Sequence, residues 1–251
     1  MKLSRDNEVD TMNTDDPVTP RRALHVAAGA AMLALTVLVL ATDSRSQDRS
    51  DDAPDKGVVR CARISYNNDK TSDCYSAGFL DQVMQDTYVR ADCQLASVRL
   101  ESSELYQYPF VVMTGEEPFT FTDRQRANMR DYLRAGGFLV ASAACGSGPW
   151  GDSLRAEVRK TFPDLKLTRL TSDHPVFHTV YNVARSRHTR GAARPVHLEA
   201  LLIDGRIALV YSPDGINDTA GAGGDCCCCG GSEIRGARQI NANLLAYALT
   251  H

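Results

Sequence analysis

Two short stretches, Phe110-Val111-Val112-Met113 and Phe138-Leu139-Val140-Ala141, constrain the fold of this chain more than anything else in it. Neither contains a polar residue and each is too short for a core helix, so both faces of each must be covered, as in the central strands of a parallel sheet. Between them lies one segment of helix length. Thr122 is placed to cap it with Gln125 at capping-box spacing, and Met129, Tyr132 and Leu133 fall on one side. Gly136-Gly137 stops it. Strand, helix and second buried strand in that order require a crossover connection.

The alternation continues on both sides. Val58 to Tyr66 reads as a first strand, Tyr75 to Val89 carries Phe79, Leu80, Val83, Met84 and Tyr88 at helical spacing, and Leu95 to Leu100 is a second strand. Asp152 to Phe162 is helical and ends at Pro163. His197 to Ile203 and Arg206 to Tyr211 flank Asp204-Gly205, a hairpin signal, and Ile234 to Leu249 closes the chain as a helix. The expected fold is α/β: a mostly parallel, doubly wound sheet with helices on both faces, three layers in all. Ligands of such sheets lie beyond the carboxyl ends of the strands. That rule puts a binding crevice at Glu116, Ser147, Trp150, Asp152 and Asp214.

Ahead of this pattern, Ala23 to Ala41 runs without a formal charge, preceded by Arg21-Arg22 and followed by a polar stretch. It is just long enough to span a bilayer, and Val39-Leu40-Ala41 also suits a signal peptidase. The expected organisation is a polar leader over 1–22, a signal peptide or transmembrane anchor over 23–41, a flexible linker over 42–57 and one α/β domain over 58–251. The domain is expected outside the cytoplasm, held at the cell membrane through residues 23–41 if they remain, secreted or periplasmic if they are cleaved. A formal charge of −3, a pI near 6.1 and the lack of a basic run argue against nucleic acid as a partner. A small molecule or a protein is the expected partner.

Several segments, in order, carry a family resemblance: Tyr108-Pro109-Phe110, Met113-Thr114-Gly115-Glu116, Tyr132-Leu133 with Gly136-Gly137-Phe138-Leu139, Asp173-His174-Pro175-Val176-Phe177, Asp204-Gly205-Arg206, Tyr211-Ser212-Pro213 and Asn243-Leu244-Leu245-Ala246-Tyr247-Ala248-Leu249-Thr250. This series resembles the bacterial domain of unknown function 4159, from about Val58 to His251. The resemblance implies a class I glutamine-amidotransferase-like, flavodoxin-like fold. It implies no activity, because fold alone supplies none.

Three readings of the chemistry stay open. The first is a non-catalytic module that binds a ligand or a partner protein. The second is a hydrolase or amidotransferase-like enzyme, with Cys145 as nucleophile at a strand-to-helix turn and His174 as base, oriented by Asp173 or Glu199. Against it, Ala143 and Ser147 stand where a nucleophile elbow has glycine. The third is a thiolate-bound metal or cluster at Cys226, Cys227, Cys228 and Cys229, four consecutive cysteines between glycine pairs. Alternate side chains of an extended run diverge, so a metal would take two of them with Cys145 or Cys61. Structural disulfides are the competing use of an even total of eight cysteines in an exported domain.

Overall fold

The computed structural model describes residues 57–66, 74–187, 192–219 and 234–251, all within the compact unit Asp52–His251. The segment 23–41, its polar leader, the linker up to residue 56 and Cys226 to Cys229 lie outside the described residues. Among those described, no helix is long and apolar enough to cross a membrane.

A seven-stranded sheet forms the middle layer, in the order β2-β1-β3-β4-β9-β8-β5. Its strands are β1 (Val59–Ser65), β2 (Ala91–Arg99), β3 (Phe110–Gly115), β4 (Phe138–Ala143), β5 (Thr168–Arg169), β8 (Glu199–Ile203) and β9 (Arg206–Ser212). A separate ribbon pairs β6 (Arg185–Arg187) with β7 (Ala193–Pro195). β2, β1, β3, β4 and β9 are mutually parallel, and β8 pairs antiparallel with β9 and β5. The parallel part follows the doubly wound order 2-1-3-4-5. The fold is therefore three-layered α/β, as the sequence pattern requires.

Alternation along the strands sorts the core into two clusters. Phe110, Val112, Phe138, Val140 and Val210 face α1 (Gly78–Asp86) and α4 (Ala237–Thr250), where Phe79, Leu80, Ile240 and Leu244 receive them. Val111, Met113, Leu139, Ala141 and Tyr211 face α2 (Asp123–Arg134) and α3 (Gly148–Thr161), against Met129, Leu133, Leu154 and Val158. Every residue of β3 and β4 is buried. Their wholly apolar starts have this cause.

Several boundaries differ from the sequence pattern for identifiable reasons. β2 begins at Ala91 rather than Leu95, because its first residues pair with β1 at the edge of the sheet while Asp92 to Gln94 stay exposed. α3 begins at Gly148, four residues before Asp152, because the Ser147 hydroxyl accepts from the Trp150 amide and Pro149 fits the first turn. α1 is shorter than its apolar periodicity. Tyr88 lies beyond its end and is fully exposed rather than facing the core. The α2 capping box forms with both bonds in place, and the β8 to β9 hairpin turns on Asp204 and Gly205, both with positive φ.

Candidate binding crevice

At the carboxyl ends of β3, β4 and β9, register sets three hydroxyl residues side by side: Thr114 opposite Ser142, and Ser142 opposite Ser212. Asn217, from the loop after β9, inserts between the first two. Its Nδ2 donates to Thr114 Oγ1 at 2.9 Å, and its Oδ1 accepts from Ser142 Oγ at 2.5 Å. Ser142 Oγ in turn accepts from the Ile216 amide at 2.8 Å. The network reaches α4 and the start of α1: Asn241 Nδ2 donates to the Ile216 carbonyl, the Tyr75 hydroxyl donates to Asn241 Oδ1 at 2.6 Å, and the Ser76 amide donates to the Asn217 carbonyl. Asp218 follows, paired with Arg238 at 2.8 Å. Burial raises the Asp218 carboxyl above its usual range, and Arg238 only partly counters this. Every group in this relay is satisfied, so the loop is pinned over the strand ends. Ser212, at the end of β9, is the exception: its hydroxyl is fully buried and has no hydrogen-bond partner, and Thr219 Oγ1 in the loop that follows shares that condition.

The other wall is the β4 to α3 turn. Cys145 is exposed with φ 52° and ψ 21°, a left-handed conformation unusual outside glycine, and Gly146 follows with positive φ. Ser147 Oγ donates to the Glu116 carbonyl at 2.5 Å, which ties this turn to the end of β3. Cys145 and Cys74 are both disulfide-bonded, whereas Cys61 and Cys93 are free. Cys145 Sγ lies 3.7 Å from Glu116 Oε1, and since a bonded sulfur has no proton to donate this is proximity only.

The residues expected at the site part company here. Glu116, Cys145 and Ser147 come together at the rim, with Asp152 exposed on the first turns of α3. Asp214 joins from the β9 loop, its Oδ1 paired with Arg194 at 2.8 Å. Trp150 does not line the crevice. It is fully buried in the core beneath, where its indole donates to the Tyr66 hydroxyl at 2.5 Å and that hydroxyl donates to the Thr114 carbonyl at 2.9 Å.

His174 is elsewhere. Its ring lies 5.8 Å from that of Tyr247, near the end of α4, while the start of α4 meets Asp218 beside the strand ends. Nine residues of helix separate Arg238 from Tyr247, or about 14 Å at 1.5 Å per residue, so Cys145 and His174 sit toward opposite ends of the sheet. His174 Nδ1 accepts from the Val176 amide and caps its own 3₁₀ turn. Glu199 does not orient His174 either. It holds Arg155 through both carboxylate oxygens, at 2.6 and 3.3 Å, with His197 3.3 Å away.

A thiolate metal site drawing on Cys61 or Cys145 finds neither available. Cys61 is 1% exposed inside the sheet, where burial and then the Asp92 charge push its thiol up to about 12. Among the described residues no three metal-ligating side chains cluster.

Sequence reading missed the hydroxyl row and the use of the Asn217 side chain, because both depend on which residues neighbouring strands set opposite each other. A polar residue at the end of each apolar strand, Thr114, Ser142 and Ser212, was the available signal.

The sequence model of the family described as Domain of unknown function (DUF4159) matches residues 60–249. No curated protein matches the chain.

Proposed function

We propose that this chain, which belongs to that family of unknown function, is a binding module that takes a small polar ligand in the crevice where β3, β4 and β9 end, and that it works outside the cytoplasm without catalysing a reaction. One observation carries the reading: two buried hydroxyls are left without a partner at this end of the sheet, Ser212 Oγ on the last residue of β9 and Thr219 Oγ1 in the loop that follows. An unsatisfied buried hydroxyl costs roughly 1–3 kcal/mol. A ligand group that hydrogen-bonds Ser212 recovers that cost, and ligands of doubly wound sheets sit at this end.

The cysteines support the location. Disulfides persist in oxidising compartments, and Cys74 and Cys145 are both bonded. Cys61 and Cys93 are free. A catalytic role for Cys145 has less support, since a bonded sulfur is not a nucleophile and His174 is not beside it.

Two measurements test the reading. In a thermal-shift panel of sugars, amino acids and nucleosides, at least one class should stabilise the native chain and lose its effect on Ser212→Ala; a panel without such a hit overturns the proposal. In non-reduced peptide mapping, Cys145 should appear only in cross-linked peptides. Rapid alkylation of Cys145 in native protein would instead restore the enzyme reading.

A further inference from the structure

Away from the crevice, the second half of α3 and the segment leading into β5 enclose a groove of about 240 Å³. Its floor is apolar: Val158 is buried and Leu165 and Leu167 are half-buried along it. Arg159 and Lys166 stand exposed on its rim, and among the described residues neither makes an ion pair or side-chain hydrogen bond.

The remaining wall is the Arg155 and Glu199 pair. The Glu199 carboxylate is already engaged, bidentate with Arg155 at 2.6 and 3.3 Å and 3.3 Å from His197, so it offers little to a cation. Arg155 is held in place by this pair and by the Tyr211 ring, 4.8 Å from its guanidinium carbon. The lining therefore sets three cations, of which Arg155 is held in place, against one satisfied carboxylate, above an apolar floor.

We propose that this groove binds a small amphipathic monoanion, a carboxylate with a compact apolar body. The apolar part would cover Val158, Leu165 and Leu167, and the carboxylate would reach Arg159 and Lys166. Charge complementarity selects the anion, since a cation would meet two uncompensated positive groups. The volume, about 240 Å³, sets a small ligand, on the scale of one substituted ring.

Benzoate is the probe, titrated into the full chain and followed by amide chemical shifts. We expect saturable binding with shifts confined to residues 155–167 and the neighbourhood of Glu199. Benzyl alcohol, which lacks the charge, and acetate, which lacks the ring, should each bind at least fivefold more weakly. Lys166→Glu should weaken benzoate at least fivefold and its combination with Arg159→Glu should abolish saturation, while Arg124→Glu, the same charge change on exposed α2, should leave affinity within twofold. Shifts centred on the β9 loop, equal weakening by Lys166→Glu and Arg124→Glu, or no saturation at about 10 mM would each overturn the proposal. Only shifts at the β9 loop involve the Ser212 crevice, and they would count against this groove without counting against that site, so the two proposals fail or stand separately.

Discussion

A Cβ atom on Gly115 would lie 2.4 Å from the Tyr66 hydroxyl and 2.6 Å from the Trp150 indole nitrogen, closer than such atoms approach. The Trp150 to Tyr66 to Thr114 relay runs through that space. Gly115→Ala must displace both rings, and overpacking of this kind costs about 1–3 kcal/mol; the loss of a buried hydrogen bond places it at the upper end. Urea unfolding at neutral pH should register that loss. Ser212→Ala should move stability the other way. It removes a buried hydroxyl that nothing satisfies, so the ligand-free protein should gain about 1 kcal/mol while losing its ligand response. Stability given up at a site and recovered on binding is a common mark of function. An unchanged or lowered stability in Ser212→Ala would mean that the hydroxyl is already satisfied.

At the scale of elements, one side chain on α4 organises a segment that has little regular structure of its own. Asn243 is fully buried. Its Oδ1 accepts from the Val180 and Tyr181 amides at 3.1 and 2.8 Å, and its Nδ2 donates to the Val176 and Tyr181 carbonyls at 3.0 and 2.9 Å. Four backbone groups between Val176 and Tyr181 are thereby satisfied by a helix side chain rather than by a strand partner. Asn243→Ala strands several of these at once, so it should cost more than 3 kcal/mol, beyond a single hydrogen bond. Hydrogen exchange should show lost protection at Val180 and Tyr181 before the rest of the sheet. α2 presents the opposite case, because its start is decided locally. Thr122 and Gln125 satisfy each other's backbone amides whatever the helix packs against.

For the molecule as a whole, pH dependence follows from two histidines. Burial holds the His174 pKa below its usual 6.5, and burial followed by the Arg169 charge does the same for His197. In the unfolded chain both return to about 6.5 and take up protons that the folded protein resists. Their contribution to stability is therefore complete above about pH 6.5 and is lost as pH falls through the lower folded values. Asp218, raised by burial, acts oppositely, contributing below its unfolded value and losing that contribution as pH rises through its folded one. Unfolding free energies at pH 7.5 and 5 should fall between the two for the native chain, and fall less for His174→Gln with His197→Gln. An equal drop in both proteins would place the dependence on other groups.

Much of this architecture was legible in the sequence because it is set by local rules. Apolar runs at Phe110 and Phe138 fix central strands, Thr122 and Gln125 fix a helix start, and Asp204-Gly205 fixes a hairpin. The edge strand β2, the ribbon of β6 and β7 and the early start of α3 were less visible, since exposed or short elements lack a periodic apolar signal. The strand-end rule named Glu116 and Ser147, which the structure sets side by side, but it did not indicate how the other candidates are held. Trp150 points into the core, His174 lies toward the other end of α4, and Cys145 is bonded, because side-chain partners depend on crossover paths and on the face each residue occupies. The hydroxyl row has the same origin: Thr114, Ser142 and Ser212 are distant in the chain and become neighbours only when three parallel strands take one register. Sequence determined the layers through hydrophobic periodicity, and tertiary structure alone decided which polar groups meet, and which are left without a partner, where the strands end.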